Sequence, residues 1–239
     1  MIVVSAGLPR SGSGWIFNLT NDLLVSAGHQ DAHWVRDRYR LGRFVTAHNC
    51  NVGKPGLLKL AMLAVPHLLG NSFVVKTHRK PTPALKRAMA LGLAKCTYIY
   101  RDPRDVVLSA IEEGQRMRAR GVSRAFAKIG SVEKSVAEVR GWLRTWDHWM
   151  AEDRVLHVRY EELKNEPLKQ CARITRHLGI ALSDDEVNRI VSKYKSGSKV
   201  AGAHFVKGQS GRYRQVFSSE QIQLCNQALK DYLEKMGYE

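Results

Sequence analysis

The stretch from Ile2 to Trp15, IVVSAGLPRSGSGW, constrains the fold more than any other part of this chain. Ile2 to Ala6 is a short run of β-branched and small residues, of the kind buried on both faces in a parallel sheet. After a glycine-rich turn, Ile16, Leu19 and Leu23 recur at helical spacing. A strand, a glycine loop and a helix in that order direct backbone amides and a helix N-terminus at one point, which makes an anion site. The N-terminus has no basic region or long apolar run before this loop and is read as a first strand rather than a signal peptide.

Further strand-like runs at Ser72 to Lys76, Cys96 to Tyr100 and Arg154 to Arg159 alternate with helical segments, with no repeat and no low-complexity linker. That alternation predicts an α/β fold, a single domain over residues 1–239 with a mainly parallel central sheet flanked by helices. Ligands in such sheets gather at the carboxyl ends of the strands. Ser131 to Met150 reads as a helix with Trp142, Trp146 and Trp149 on one core-facing stripe. Ser218 with Gln221 forms a capping box for a closing helix whose inner face carries Ile222, Cys225, Leu229 and Met236.

Charge narrows the partners. Lysine and arginine number 38 against 22 acids, a formal net charge of +16 with pI about 9.9, and such a field attracts polyanions. No nucleic-acid motif accompanies it, and its arginines are not set in an aromatic platform. Two basic runs, Arg36 to Arg43 and Arg116 to Arg124, have no clean period and read first as solvated surface, then as acceptor contacts. Cys50, Cys96, Cys171 and Cys225 form no CxxC pair, so neither zinc nor a disulfide framework is expected, and a reducing, cytoplasmic setting is the simplest one. The longest apolar stretch, Pro55 to Leu69, carries Lys59 and Pro66 and falls short of the ~20 residues a membrane span needs.

Three motifs carry chemistry. The first is Gly7-Leu8-Pro9-Arg10-Ser11-Gly12-Ser13-Gly14-Trp15, a P-loop by spacing. The Walker pattern fails just after Gly12, with Ser13 at the lysine position and Gly14 where the Mg²⁺-holding hydroxyl would stand; the cation comes earlier, as Arg10. The second is Val74-Val75-Lys76-Thr77-His78, in which alternation puts Lys76 and His78 on one face at a strand end, a cation beside a candidate general base. The third runs from Arg101 through Asp102, Pro103, Arg104 and Asp105 to Ser109. Pro103 and Asp105 favour a helix start, and Arg101 and Ser109 could meet one phosphate from two sides. Surface salt bridging among Arg101, Asp102, Arg104 and Asp105 is the competing reading.

In this order the motifs resemble the soluble, cytosolic-type sulfotransferases that use 3′-phosphoadenosine-5′-phosphosulfate (PAPS), whose fold is P-loop NTPase-like. The family's PKSGTTW loop is similar to Pro9 to Trp15, and its KTH stands intact as Lys76-Thr77-His78. The eight-residue step from arginine to serine is kept between Arg101 and Ser109. Tyr160-Glu161-Glu162-Leu163-Lys164, Pro167 and His177-Leu178-Gly179 resemble YEDMK…P…FLG, and Lys207 to Arg214 resembles RKGxxGDWK.

The resemblance implies transfer of the sulfuryl group of PAPS to a hydroxyl or amine, releasing adenosine 3′,5′-bisphosphate (PAP) without a metal. It assigns His78 as base and Lys76 and Arg10 as transition-state cations, with Arg10 at the bridging phosphosulfate oxygens. Ser11, Gly12, Ser13 and Gly14 would cradle the 5′-phosphate, and Trp15 and Tyr160 would face adenine. Arg101, Ser109, Lys207 and Gly208 would hold the 3′-phosphate. The chain departs from the pattern at Arg10 for lysine, Gly14 for threonine, Val206 for arginine and Tyr213 for tryptophan. A P-loop-type small-molecule kinase and a basic nucleic-acid-binding protein stay as alternatives. The acceptor, a small molecule or glycan, is not legible; segments 28–69 and 112–134 are the expected contacts, and their arginines permit an acidic one. Oligomeric state is open.

Overall fold

A computed structural model describes residues 1–123, 125–194 and 209–238. In chain order the elements are β1 (Ile2–Gly7), α1 (Ser13–Ser26), α2 (Ala32–Arg38), α3 (Leu57–Leu68), β2 (Phe73–Thr77), α4 (Pro83–Ala90), β3 (Ala94–Tyr100), α5 (Pro103–Ala119), α6 (Val132–Met150), β4 (Val155–Arg159), α7 (Tyr160–Asn165), α8 (Pro167–Leu178), α9 (Asp184–Ser192), α10 (Tyr213–Val216) and α11 (Ser219–Met236). Short 3₁₀ turns lie at Leu41–Arg43 and Ala125–Lys128. The four strands form one parallel sheet in the order β2-β1-β3-β4.

The register explains why the motifs meet. Ser5 of β1 pairs with Lys76 on one side and Thr97 on the other, so the three strands end at nearly one level. The chain leaves β1 for β2 on one side, and β3 then pairs on β1's other side. The crevice above β1 and β3 is therefore a topological switch point, where such sheets bind ligands. β1 and β2 are buried along their whole length, as expected of strands covered by helices on both faces.

Local signals act where the sequence places them. Asp102 caps α5 by accepting the Arg104 amide, Pro103 takes the first turn, where its missing N–H costs nothing, and Ser131 caps α6 by accepting from Lys134. The Ser218–Gln221 capping box closes reciprocally at the start of α11. Cys225, Leu229 and Met236 are buried beneath that helix, while Ile222 is half-buried. Trp149 stacks on Tyr98 with centroids 5.5 Å apart, and its indole N–H donates to the Arg79 carbonyl at 3.0 Å, so a large ring is buried with its polar atom satisfied. The four cysteines are buried free thiols. Among the described residues, no helix is long and apolar enough to cross a membrane.

Two expectations need correcting. The tryptophan stripe is not all core: Trp146 and Trp149 are buried, but Trp142 is half-buried and faces the cavity described below. The charges of the third motif are not surface salt bridges either, because Arg101, Asp102, Arg104 and Asp105 are all buried and paired as Arg101–Asp105 at 3.0 Å and Arg104–Asp102 at 2.9 Å.

Candidate active site

The carboxyl ends of β1, β2 and β3 open onto a cavity of about 670 Å³. Of the residues singled out in the sequence, Arg10, Gly12, Ser13, Gly14, Trp15, Lys76, His78, Arg101, Ser109 and Tyr160 line it. Ser11 does not. Its hydroxyl is turned into the loop, donating to the Leu8 carbonyl at 2.5 Å and the Ile99 carbonyl at 3.1 Å, which ties the turn to the end of β3. Lys207, Gly208 and Val206 lie outside the described residues, as does Arg124.

The turn itself is shaped by two left-handed residues. Gly12, which caps α1, has φ 85°, and a Cβ placed there would meet the Tyr160 ring at 2.7 Å. Glycine is required on both counts. Arg10 has φ 66°, uncommon for a residue with a side chain. Its guanidinium is held at three points: Nε donates to Ser109 Oγ at 3.2 Å, Nη2 pairs with Glu113 at 3.2 Å, and the group lies 5.7 Å from the Phe126 ring centre. Burial is the main cause lowering its pKa, and Glu113 opposes it.

His78 follows β2 and its Nδ1 lies 2.7 Å from the Gly7 carbonyl. A carbonyl only accepts, so Nδ1 carries the proton and Nε2 keeps its lone pair. Burial first, then the Lys76 charge, pushes the imidazole pKa down to about 4, against the raising effect of the Gly7 bond. Lys76 is brought down to about 8, again by burial first and then by Arg10. Thr77 points the other way and donates to the Gly53 carbonyl at 2.6 Å.

At the end of β3, Arg101 lies 4.5 Å over the Tyr160 ring and donates to Asp105 at 3.0 Å and to the Gln209 carbonyl at 2.5 Å. Tyr160 packs edge-on against Trp15, with centroids 5.9 Å apart. Asp105 also accepts the backbone N–H groups of Gly211 at 2.7 Å and Tyr213 at 3.2 Å. Arg212 makes a two-pronged pair with Glu112, at 3.1 and 2.7 Å. Ser109 shares the cavity with Arg101, but in this structure its oxygen is engaged by Arg10.

Sequence reasoning missed the acidic wall. Glu112 and Glu113 line the cavity, and Arg116, expected at the surface, pairs there with Glu113 at 2.8 Å. The signal was present, because Asp105, Ser109, Glu112 and Arg116 fall at helical spacing, so one assigned serine locates its neighbours. It also missed the apolar far wall, where Phe126 and Trp142 meet edge-on at 5.6 Å beside Met117 and Ile129. Asn49 supplies the contact from segment 28–69. Among the described residues, no group of three or more His, Cys, Asp or Glu side chains could hold a metal ion.

A parallel sheet with a glycine turn and converging cations at its switch point defines an anion-binding α/β protein. The profile of the sulfotransferase domain matches residues 2–237, and the chain belongs to that family. It is 27% identical over 198 residues to sulfotransferase 2A2 of Rattus norvegicus, a match covering 79% of this chain and 62% of the rat protein. It is 20% identical over 257 residues to sulfotransferase 6B1 of Mus musculus, covering 99% and 80%. The chain thus spans about three fifths of the rat relative's length. Its fold is similar to that of retinol dehydratase solved with androsterone and inactive cofactor PAP, with TM-score 0.58 and 19% identity over 97% of this chain and 80% of that one. Mouse sulfotransferase SULT7A1 complexed with PAP gives TM-score 0.56 and 17% identity, over 98% and 84%.

Proposed function

We propose that this chain is a single sulfotransferase domain that moves the sulfuryl group of PAPS to a hydroxyl or amine of a small acceptor, without a metal ion. What supports it most is the convergence of Arg10, Lys76, His78 and Arg101, from the ends of three neighbouring strands, on one cavity. The residues fit such a donor. Because Gly12 has no Cβ, which would strike the Tyr160 ring at 2.7 Å, the glycine turn lies close against that ring, and the buried cations Lys76 and Arg101 stand at the ends of the strands either side of it. When bound, the donor supplies an activated sulfuryl group on a phosphate leaving group.

The chain's own residues do the rest. The backbone of Ser11 to Gly14 and the N-terminus of α1 would hold the 5′-phosphate, Arg101 and Ser109 with Lys207 and Gly208 would hold the 3′-phosphate, and Trp15 and Tyr160 would face the adenine. His78 Nε2 takes the acceptor's proton, a role for which a histidine kept neutral by burial is suited. Arg10 and Lys76 offer preorganised donors for charge developing on the leaving oxygen. The acceptor lies against Met117, Phe126, Ile129 and Trp142, so an aromatic alcohol is the class expected, with Lys128 in the cavity lining to meet an anionic group.

Release of PAP that depends on acceptor, or reverse transfer from a sulfated phenol, tests the reaction. It is expected to continue undiminished in excess EDTA and to fall about a hundredfold in Arg10→Ala, as loss of one preorganised donor does. Activity that collapses in EDTA and returns with Mg²⁺, or that runs on ATP, would reassign the chain as a kinase.

A further inference from the structure

Helix α3 is apolar on two opposite sides. Leu60, Leu63 and Pro66 pack into the core, as an amphipathic helix requires. The outer face carries Leu57, Leu58, Ala61, Val65, Leu68 and Leu69, spaced one, four, eight, eleven and twelve residues on from the first. Its leucines and valine are between 47% and 78% exposed. Leu91 and Leu93, just beyond α4, which packs against α3, are exposed as well. A contiguous apolar face of this kind marks an interaction surface.

Charge says what kind. Between Asp37 and Asp102 the chain has no aspartate or glutamate and twelve lysines and arginines. Lys54 precedes α3 and α4 carries Lys86 and Arg87, all exposed, whereas Lys59 lies on the inner side of α3 and donates to the Val52 carbonyl at 2.6 Å. Of those twelve, Lys76 and Arg101 belong to the cavity, and among the described ion pairs the acid that reaches α3 or α4 is Glu152, on Lys86. A second copy would set cations against cations. A leucine stripe flanked mainly by cations is instead what binds an anionic lipid leaflet, in which apolar burial and phosphate attraction add.

We infer that α3 docks this protein on the surface of an anionic bilayer, with its outer leucines in the headgroup boundary and the neighbouring lysines and arginines against the lipid phosphates. This is lateral binding, since twelve residues of helix span about 18 Å, well short of the ~30 Å hydrocarbon core. The docked helix is one short loop from Asn49 in the cavity wall.

The test is sedimentation of the whole chain with vesicles of phosphatidylcholine, with and without phosphatidylserine, beside the Leu58→Ser/Leu68→Ser variant. Both sites are exposed, so the variant keeps its fold, which circular dichroism and Tm verify, and it keeps every charge. The wild type is expected to bind the phosphatidylserine vesicles, and the variant to bind them about tenfold or more weakly. Equal binding of the two would mean adsorption by net charge and would overturn the inference. So would no vesicle binding, or self-association without vesicle binding that the variant abolishes, which would make this face a contact between copies.

Discussion

Gly12→Ala places a methyl group where the structure has no room for it, and its cost can be built up from parts. At φ 85° a residue with a Cβ is in the left-handed region, which costs about 1–2 kcal/mol, while the stiffer unfolded chain returns about 0.4–1 kcal/mol. The new Cβ would stand 2.7 and 2.9 Å from two carbons of the Tyr160 ring, which cannot retreat freely because Arg101 covers it at 4.5 Å and Trp15 meets it edge-on. Overpacking of this kind costs about 1–3 kcal/mol. The sum is about 3 kcal/mol, which in a chain of this size lowers Tm by roughly 6–12 °C. Calorimetric melting of Gly12→Ala, Tyr160→Ala and the double variant separates the contributions, because only the ring contact is shared. A coupling of about 1–3 kcal/mol is expected, with the backbone cost left over. A Tm unchanged in Gly12→Ala would refute the whole calculation, and a coupling near zero would refute the contact with Tyr160.

Arg101→Ala is expected to weaken PAP about tenfold to a hundredfold while leaving adenosine 5′-monophosphate nearly unchanged; titration calorimetry with both nucleotides checks it, and equal weakening would move Arg101 away from the 3′-phosphate. The pH profile of kcat/KM for the donor follows from two lowered pKa values. His78 acts as a neutral base, so its fall to about 4 extends activity to acid, and Lys76 acts charged, so its fall to about 8 brings the alkaline loss earlier. An acid limb at an ordinary histidine pKa would contradict the burial argument, and Lys76→Arg should remove the alkaline limb. His78→Ala is expected to lower turnover by about 10² to 10⁴ with PAP affinity retained, whereas equal loss of both in a folded variant would make His78 a structural residue.

Much of this was legible because the determinants are local. The glycine turn, the strand ends at Thr77 and Tyr100, and the caps at Asp102, Ser131 and Ser218 are all encoded within a few residues of where they act. What the sequence hid is set by distant partners. Asp105 looks like a first-turn acid, but it is bound across the fold to Gly211 and Tyr213. Trp142 shares a stripe with two core residues yet meets Phe126, which a separate segment brings to the cavity. Arg116 lies in a run that reads as solvent-facing; its pair with Glu113 one turn before it is local, but only the packing of α5 turns that helix face into the cavity. Exposure of the outer face of α3 was hidden too, since an apolar run reads as core until the neighbours on both sides are known.

The Asp105 carboxylate has a consequence for the order in which the molecule can be assembled. Three of its bonds close at once, to Arg101 four residues behind it and to two amides more than a hundred residues ahead. On a growing chain the sheet and the glycine turn can form while that distant segment is still inside the ribosome, but the carboxylate then has only an arginine for company. Closing so long a loop is slow because its entropic cost precedes the bonds that offset it. The cavity above the sheet should therefore be the last part of the molecule to become rigid during synthesis, and chains that stall before residue 209 should carry a formed sheet with no finished pocket above it.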